Sequence, residues 1–273
     1  MEQPATTTSH EPPQDAPLEF AARLDPIGLE ELNVVAALQI RVDRKYVVPL
    51  PVAMRVLSGL ESTARVLHMD GLRRFGYNSV YFDTPEALSY KSAATGRRRR
   101  FKIRTRSYLD TGTTFLEVKT EGAREATVKE RIEYDPSDRT RLTDEGHSYI
   151  AETLEHTLGQ YARIDPLRLS PVIETDYNRT TLFLPGCGSR VTIDEDLLWR
   201  LPDGSGARLA GSVVIETKSG SSPGTMDRRL WAHGIRPSKI SKFATGLALL
   251  HPQLPANKWH KTLTHTLQIV PLG

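Results

Sequence analysis

Between Arg97 and Arg106 the chain reads Arg-Arg-Arg-Arg-Phe-Lys-Ile-Arg-Thr-Arg, with seven basic residues in ten and no acidic one. A run this dense ordinarily marks a solvated tail or a nucleic-acid patch. Its internal pattern restricts it further. From Arg100 the bases occupy even positions (Arg100, Lys102, Arg104, Arg106), and Phe101, Ile103 and Thr105 occupy odd ones. Period-2 alternation with aromatic and β-branched residues between the charges predicts a strand. One face is a ladder of cations and the other can pack. A fold that accepts this strand needs something for the cations to face.

The excess of charge is local. Over 273 residues, 36 Lys and Arg stand against 33 Asp and Glu, for a net charge of +3. This balance points to a site more than to a basic coat. The single cysteine, Cys187, excludes an internal disulfide and a cysteine-based zinc site. No apolar run approaches the roughly 20 residues of a membrane span. The N-terminus is polar and Pro-rich, without the apolar segment of a secretory signal, so the expected compartment is the cytoplasm. The eight histidines show no metal-ligand spacing and no Gly-x-x-x-x-Gly-Lys loop is present.

The same alternation recurs along the chain. Strands are predicted over Leu38–Val48, Tyr77–Asp83, Thr114–Thr120, Thr127–Tyr134, Pro171–Leu184, Ser189–Asp194 and Ser212–Lys218, which with the basic segment makes eight. Nearly all carry ionised residues at period 2, and short turns join neighbours, so antiparallel pairing is expected. Helices are predicted over Gly28–Leu38, Pro51–Leu60, Glu86–Ser92, Asp138–Gly159, Pro223–His233 and Pro237–Leu250. The expected class is α+β: an eight-stranded antiparallel β-barrel, a tunnel with a charged lumen, surrounded by helices over its apolar exterior. Residues 1–20 are expected to be a disordered tail, 21–251 the tunnel domain, and 252–273 a C-terminal tail in which Trp259 and Leu267 could dock. Tyr and Phe positions are expected in the core, not as stacking platforms.

Taken singly, a pair such as Glu117 and Lys119 reads as a solvated strand face. The set reads differently. Arg41, Lys45, Arg104, Arg106, Lys119, Lys129, Arg131, Arg179, Lys218, Lys239 and Lys242 come from widely separated segments. If they converge, the lumen requires an anionic occupant, since uncompensated buried cations are costly. Arg offers a planar fork and Lys a point charge, and both suit phosphate. Among the fewer carboxylates, Glu133 and Glu174 are assigned to pairing with neighbouring bases. Glu216 and Asp194 are the candidates to hold Mg²⁺ or Mn²⁺ beside phosphates.

The segments Arg41-Val-Asp-Arg-Lys-Tyr46, Val80-Tyr-Phe-Asp-Thr-Pro85, Lys102-Ile-Arg-Thr-Arg-Ser-Tyr108, Phe115-Leu-Glu-Val-Lys119 and Val128-Lys-Glu-Arg131 occur in this order. Tyr177-Asn-Arg179, Arg190-Val-Thr-Ile-Asp194, Val214-Ile-Glu-Thr-Lys218 and Ser238-Lys-Ile-Ser-Lys-Phe243 follow. Together, over about Leu38 to Leu250, they resemble the polyphosphate-polymerase (VTC) domain of the triphosphate tunnel metalloenzyme superfamily. The resemblance implies a tunnel that binds ATP or another nucleoside triphosphate, or inorganic polyphosphate, with Mn²⁺ or Mg²⁺. Lys45, Arg104, Arg106, Lys119, Arg179, Lys239 and Lys242 match its phosphate-gripping positions, with Lys129 and Arg131 as further tunnel bases and Lys102 and Lys218 on the same faces. Glu216 matches its metal-binding carboxylate. Where the wider superfamily begins with Glu-x-Glu-x-Lys, this chain has Arg41-x-Asp43-x-Lys45, as in the polymerase branch. That favours phosphoryl transfer over hydrolysis. A tunnel triphosphatase and a non-catalytic module for polyphosphate or inositol polyphosphate stay as alternatives. Nucleic acid is disfavoured by the inward alternation. The regulatory domain and membrane helices of eukaryotic relatives are not seen here, which leaves a membrane partner open.

Overall fold

The computed structural model of the chain describes residues 16–35, 42–121, 127–159 and 164–272. Its strands are β1 (Asp25–Ile27), β2 (Val42–Pro49), β3 (Arg65–Leu67), β4 (Phe75–Asp83), β5 (Arg100–Tyr108), β6 (Thr113–Glu121), β7 (Thr127–Tyr134), β8 (Ser170–Leu184), β9 (Ser189–Arg200), β10 (Gly206–Leu209), β11 (Ser212–Ser219) and β12 (Ile269–Pro271). Its helices are α1 (Ala16–Ala22), α2 (Leu29–Val35), α3 (Leu50–Ser58), α4 (Leu88–Ala94), α5 (Asp144–Leu158), α6 (Thr225–Ala232), α7 (Lys242–Leu250) and α8 (His260–His265).

Among the described residues one twelve-stranded sheet forms, and eight of its strands make an antiparallel path in the order β2-β11-β9-β8-β4-β5-β6-β7, with β10 and β12 added beside β9, and β3 and β1 beside β8. The eight on this path are those that the alternation predicts. The sheet wraps far enough for Lys119 of β6 to feel Asp43 and Lys45 of β2 and Glu216 of β11. Among the described residues no ladder joins the edge strands β2 and β7, so the closed barrel of the sequence reading is here a strongly curled sheet. Leu38–Arg41, the predicted start of β2, lies outside the described residues, as does the end of the helix predicted over Gly28–Leu38.

Alternation sets the layers. On β5, Phe101, Ile103 and Thr105 are buried on the outer face, while the bases between them are only partly covered. Phe101, Ile103, Leu116 and Val118 pack with Ile150 and Leu154 of α5. Thr143 caps α5 by accepting from the Gly146 amide at 3.2 Å. The outer faces of β2, β9 and β11 (Tyr46, Val48, Val191, Ile193, Val213, Ile215) pack under α1, α3 and α6 through Phe20, Val56, Leu57, Met226 and Leu230. Burying several such side chains, each worth about 1.5–3 kcal/mol, fixes which strand face looks outward. By exclusion it fixes where the charges look.

Two expectations shift. Ala16–Ala22 is helical and Phe20 is fully buried, so the packed domain starts before residue 20; residues 1–15 lie outside the described set. The stretch 237–241 is not helical: Pro237 opens it, the Ser238 amide donates to Lys45 O at 2.7 Å, and Ser241 is the N-cap of α7. Lys239 and Lys242 therefore do not share a helix. The C-terminal tail is docked: Trp259 is buried and β12 pairs with β10. No helix among the described residues is long and apolar enough to cross a membrane.

Candidate functional site

Directly opposed residues in an antiparallel pair share a face, so the registers identify the lumen. Lys102, Arg104 and Arg106 stand opposite Lys119, Glu117 and Phe115; Lys119 and Glu117 stand opposite Lys129 and Arg131. On the other wall Lys45 faces Glu216, Glu216 faces Thr192, and Arg179 faces Asp194. The inward set thus holds Lys45, Lys102, Arg104, Arg106, Lys119, Lys129, Arg131, Arg179, Glu216 and Lys218.

These cations fall into two groups. Some are fixed by buried carboxylates. Glu117 accepts from Arg104 Nε at 2.7 Å and Nη2 at 2.6 Å, and pairs with Lys129 Nζ at 2.6 Å. Burial pushes the Glu117 carboxyl up, but Arg104, Arg106 and Lys129 hold it at about 2. Asp194, with no exposed side-chain surface, accepts from Arg179 Nε at 2.6 Å and Nη2 at 2.9 Å, and from Lys242 Nζ. Burial opposes its ionisation, yet Arg179 and Lys242 hold its carboxyl well below the usual range. Both Asp194 oxygens are committed, so the metal role expected of it would require breaking these pairs; its geometry is that of an anchor for two cations.

The second group has no carboxylate within ion-pair distance among the described residues: Lys45, Lys102 and Lys119. Lys102 Nζ has one hydroxyl partner, Ser241 Oγ at 3.3 Å, and lies 5.4 Å from the Phe243 ring centre. Burial first, then Lys45, Arg104 and Lys119, push its ammonium well below the usual lysine range. Lys119 is pushed down as well, chiefly by burial. These lysines line a cavity of about 380 Å³ together with Asp43, Arg100, Glu121, Lys239 and Lys258. The structure thus gathers Lys239 to the site from an irregular segment rather than from a helix.

The sequence places Thr175, Tyr177 and Arg179 on one face, but the tyrosines, expected as core, belong to the site. Tyr77, Tyr81 and Tyr177 point inward and carry the cations on their faces. Tyr77 and Tyr177 stack at 5.2 Å and 4°. Arg179 lies 5.2 Å and 5.3 Å from their centres, and Lys242 Nζ 4.2 Å from Tyr177. Arg104 Nη1 donates to Tyr81 Oη at 3.1 Å and Arg106 Nη2 to Tyr177 Oη at 3.3 Å. Burial raises the Tyr177 hydroxyl's pKa, but Arg106, Arg179 and Lys242 bring it below the usual tyrosine value. Tyr77 and Tyr177 share the parity of Ser79, Arg179 and Thr175, so their inward direction was readable from period 2. Arg131 lies more openly, stacked 4.4 Å from the Phe115 ring centre.

A bulge completes the site. Between Asp176 and Asn178 of β8, β9 inserts one extra residue, and Asp196 takes φ 55°. Inward parity therefore changes from Thr192 and Asp194 to Leu197 and Trp199. Trp199 Nε1 donates to Lys242 O at 2.7 Å, and Trp199 packs flush against Gly246, where a Cβ would lie 2.2 Å from Trp199 Cδ1. This contact seats α7 across one end of the lumen and delivers Lys242 to Asp194.

Glu216 is the inward carboxylate best placed for a cation. Burial would raise its carboxyl, but Lys45, Lys218, Arg179 and Lys242 hold it at about 2. Its nearest ion pair, to Lys218, is long at 3.6 Å. Thr192, opposite it, has a buried Oγ1 with no hydrogen-bond partner among the described residues. Among the described residues no three acidic, histidine or cysteine side chains converge on one point. One ionised carboxylate with an oxygen donor beside it fits a hard cation that takes its remaining ligands from phosphate and water, as Mg²⁺ commonly does. Glu174, assigned to pairing, is held on the outer face by Arg139 at 2.8 Å and Arg200 at 3.5 Å.

The model of the VTC domain family matches residues 40–251. No curated protein matches the chain. Among solved structures, HpAC1 from Hippeastrum, described as having a dominant triphosphatase activity, is similar over 77% of this chain and 96% of its own, at 17% identity and a TM-score of 0.50. An adenylate cyclase candidate from Bacillus halodurans is similar over 74% of this chain and 94% of its own, at 14% identity and a TM-score of 0.48. The first of these likenesses supports the tunnel fold.

Proposed function

Because the chain belongs to the VTC domain family, we propose that it is a metal-dependent phosphotransferase that moves the γ-phosphoryl group of ATP onto a growing polyphosphate chain inside the tunnel. The observation that supports this best is the charge imbalance of the lumen. Lys45, Lys102 and Lys119 converge on one cavity, lined also by Asp43 and Glu121, and among the described residues none of the three has a carboxylate within ion-pair distance, beside Arg104 and Arg179 already fixed by Glu117 and Asp194. A linear chain of anions neutralises such a row, whereas a single carboxylate or a neutral ligand does not.

The residues divide the work. Arg104 and Arg179 are preorganised donors, so they meet developing charge on the transferred group with little reorganisation. Lys45, Lys102 and Lys119 bind non-bridging oxygens and hold donor and acceptor in line. A divalent cation on Glu216 would supply further charge neutralisation at the phosphate oxygens. The terminal oxygen of the acceptor polyphosphate forms the new bond to the γ-phosphorus while the bridge to the β-phosphate breaks and ADP leaves. That oxygen is already ionised, so no side chain has to remove a proton, and catalysis reduces to positioning and electrostatics. Arg41 stands where hydrolytic tunnel enzymes carry a glutamate, in keeping with transfer to phosphate instead of water; it lies outside the described residues.

The test is product analysis after incubation with ATP and Mn²⁺ or Mg²⁺. Long-chain polyphosphate with ADP is the expected outcome. Orthophosphate as the sole new phosphate would make the protein a tunnel triphosphatase. Tight binding of polyphosphate without turnover would make it a binding module.

A further inference from the structure

The cavity at the mouth of the tunnel is not built by the family-matched segment alone. Lys258 and Trp259 line it, and both lie beyond residue 251. The segment that carries them is firmly seated. Trp259 is buried, 5.6 Å from the Tyr90 ring. Tyr90 Oη donates to Pro255 O at 3.0 Å, and Thr262 Oγ1 to Lys239 O at 3.2 Å.

Lys258 Nζ donates to Ala93 O at 2.7 Å, at the end of α4. An ammonium has three donors, so this bond leaves two for another acceptor. Its charged surroundings are Arg100 and Lys239, which repel it, and Glu121, which attracts it; Glu121 is itself paired with Arg100. Two cationic neighbours are a cost to an ammonium that only caps a helix, and an anion bound among the three offsets that cost. The exposed Arg97–Arg99 run adjoins the same rim: Arg100, which lines the cavity, donates from Nη1 to Arg97 O at 2.8 Å.

We propose that Lys258, with the Arg97–Arg99 run, forms an outer phosphate track that continues the cavity of Lys45, Lys102, Lys119 and Lys239 past the Arg100–Glu121 level and binds the part of a polyphosphate chain lying beyond the phosphates gripped by those lysines. This rests on the phosphate-tunnel reading above and adds to it a preference for long chains. A short ligand engages the lumen and reaches the rim only through screened fields, which decay over about 8 Å at physiological salt. A long chain engages both. The C-terminal segment thereby sets chain-length specificity.

The experiment compares dissociation constants of tripolyphosphate and long-chain polyphosphate, by calorimetry at fixed ionic strength, for the full chain and for Lys258→Gln. Gln keeps an N–H donor for Ala93 O and removes the charge. The expected result is a loss of long-chain affinity about fivefold larger than the loss for tripolyphosphate, with Arg97→Gln and Arg98→Gln widening the gap. Equal losses for the two ligands, or no loss, would overturn the outer track. Should Lys258→Gln lower the thermal midpoint, Lys258→Arg decides the matter: it restores the long-chain preference if charge is what counts. A wild-type protein that fails to bind tripolyphosphate would bring down the tunnel reading itself, whereas binding with an unaltered long-chain preference in Lys258→Gln would bring down only the track.

Discussion

Asp194 offers the sharpest test of how the lumen is held together. It is fully buried and its two oxygens hold Arg179 and Lys242. Replacing it with Asn keeps the shape and removes the charge, leaving two buried cations with a neutral partner. Breaking a buried ion pair from one side costs about 3–5 kcal/mol. For a domain of this size each kcal/mol lowers the midpoint by about 2–4 °C, so Asp194→Asn should melt about 6–20 °C below wild type by calorimetry. Tripolyphosphate should then stabilise the variant more than the wild type, because an arriving anion replaces the missing charge. A ligand at one hundred times its dissociation constant adds about 2.7 kcal/mol, and the variant should gain more than the wild type at equal concentration. Asp194's folded pKa is depressed, so its contribution is complete above the unfolded value of about 4 and is lost only as pH falls below that. The gap between wild type and variant should therefore be flat near neutrality and close in acid. A loss under about 1 kcal/mol, or equal ligand stabilisation of both proteins, would refute the assignment of Asp194 as the counter-charge of this wall.

Further predictions concern the metal, the unpaired lysines and the plug helix. Glu216→Gln should abolish metal-dependent turnover and tighten metal-free tripolyphosphate binding; turnover within twofold of wild type would remove Glu216 from the metal site. Lys102 is depressed in the folded chain, so the unfolded state binds more protons and the penalty of burying it shrinks as pH rises from its folded value towards about 10.4. Phosphate should favour its charged form, and calorimetry over a pH series in buffers of different ionisation enthalpy should show proton uptake that is reduced in Lys102→Met; identical uptake in the two proteins at every pH would place the titration elsewhere. Gly246→Ala should cost about 1–3 kcal/mol by overpacking, because Trp199 occupies the space a Cβ needs, and the displaced α7 should weaken tripolyphosphate binding. Trp199→Phe in that background should recover part of both losses, and no recovery would point away from this contact.

The outline of the site could be read from single segments. Period 2 on β5 places Lys102, Arg104 and Arg106 on one side and Phe101 and Ile103 on the other whatever the rest of the chain does. The same logic applied to β2, β6, β7, β8, β9 and β11 yields the strand count and the inward face. It places Tyr177 on the face of Thr175 and Arg179, and the same parity places Tyr77 and Tyr81 with Ser79, although their hydrophobicity reads as core. The helix predicted over 237–250 failed at its start because Ser241 caps a shorter helix by accepting from the Ala244 amide at 3.3 Å, a choice that Ser238 and Lys239 do not reveal.

What the amino-acid sequence determined by itself was the facing of each side chain, since strand periodicity is a property of neighbouring residues. Tertiary structure decided which cations would be neutralised. Glu117 and Lys119 look alike on β6, yet Glu117 receives Arg104 and Lys129, while Lys119 is left towards the cavity. Asp194 reads as a metal ligand until α7 brings Lys242 onto it, and α7 sits there because the bulge at Asp196 turns Trp199 inward. Lys258 reads as a tail residue until its segment docks beside Tyr90. Charge pairing depends on distances between residues far apart in the chain, and those exist only once the sheet has curled and the helices have packed.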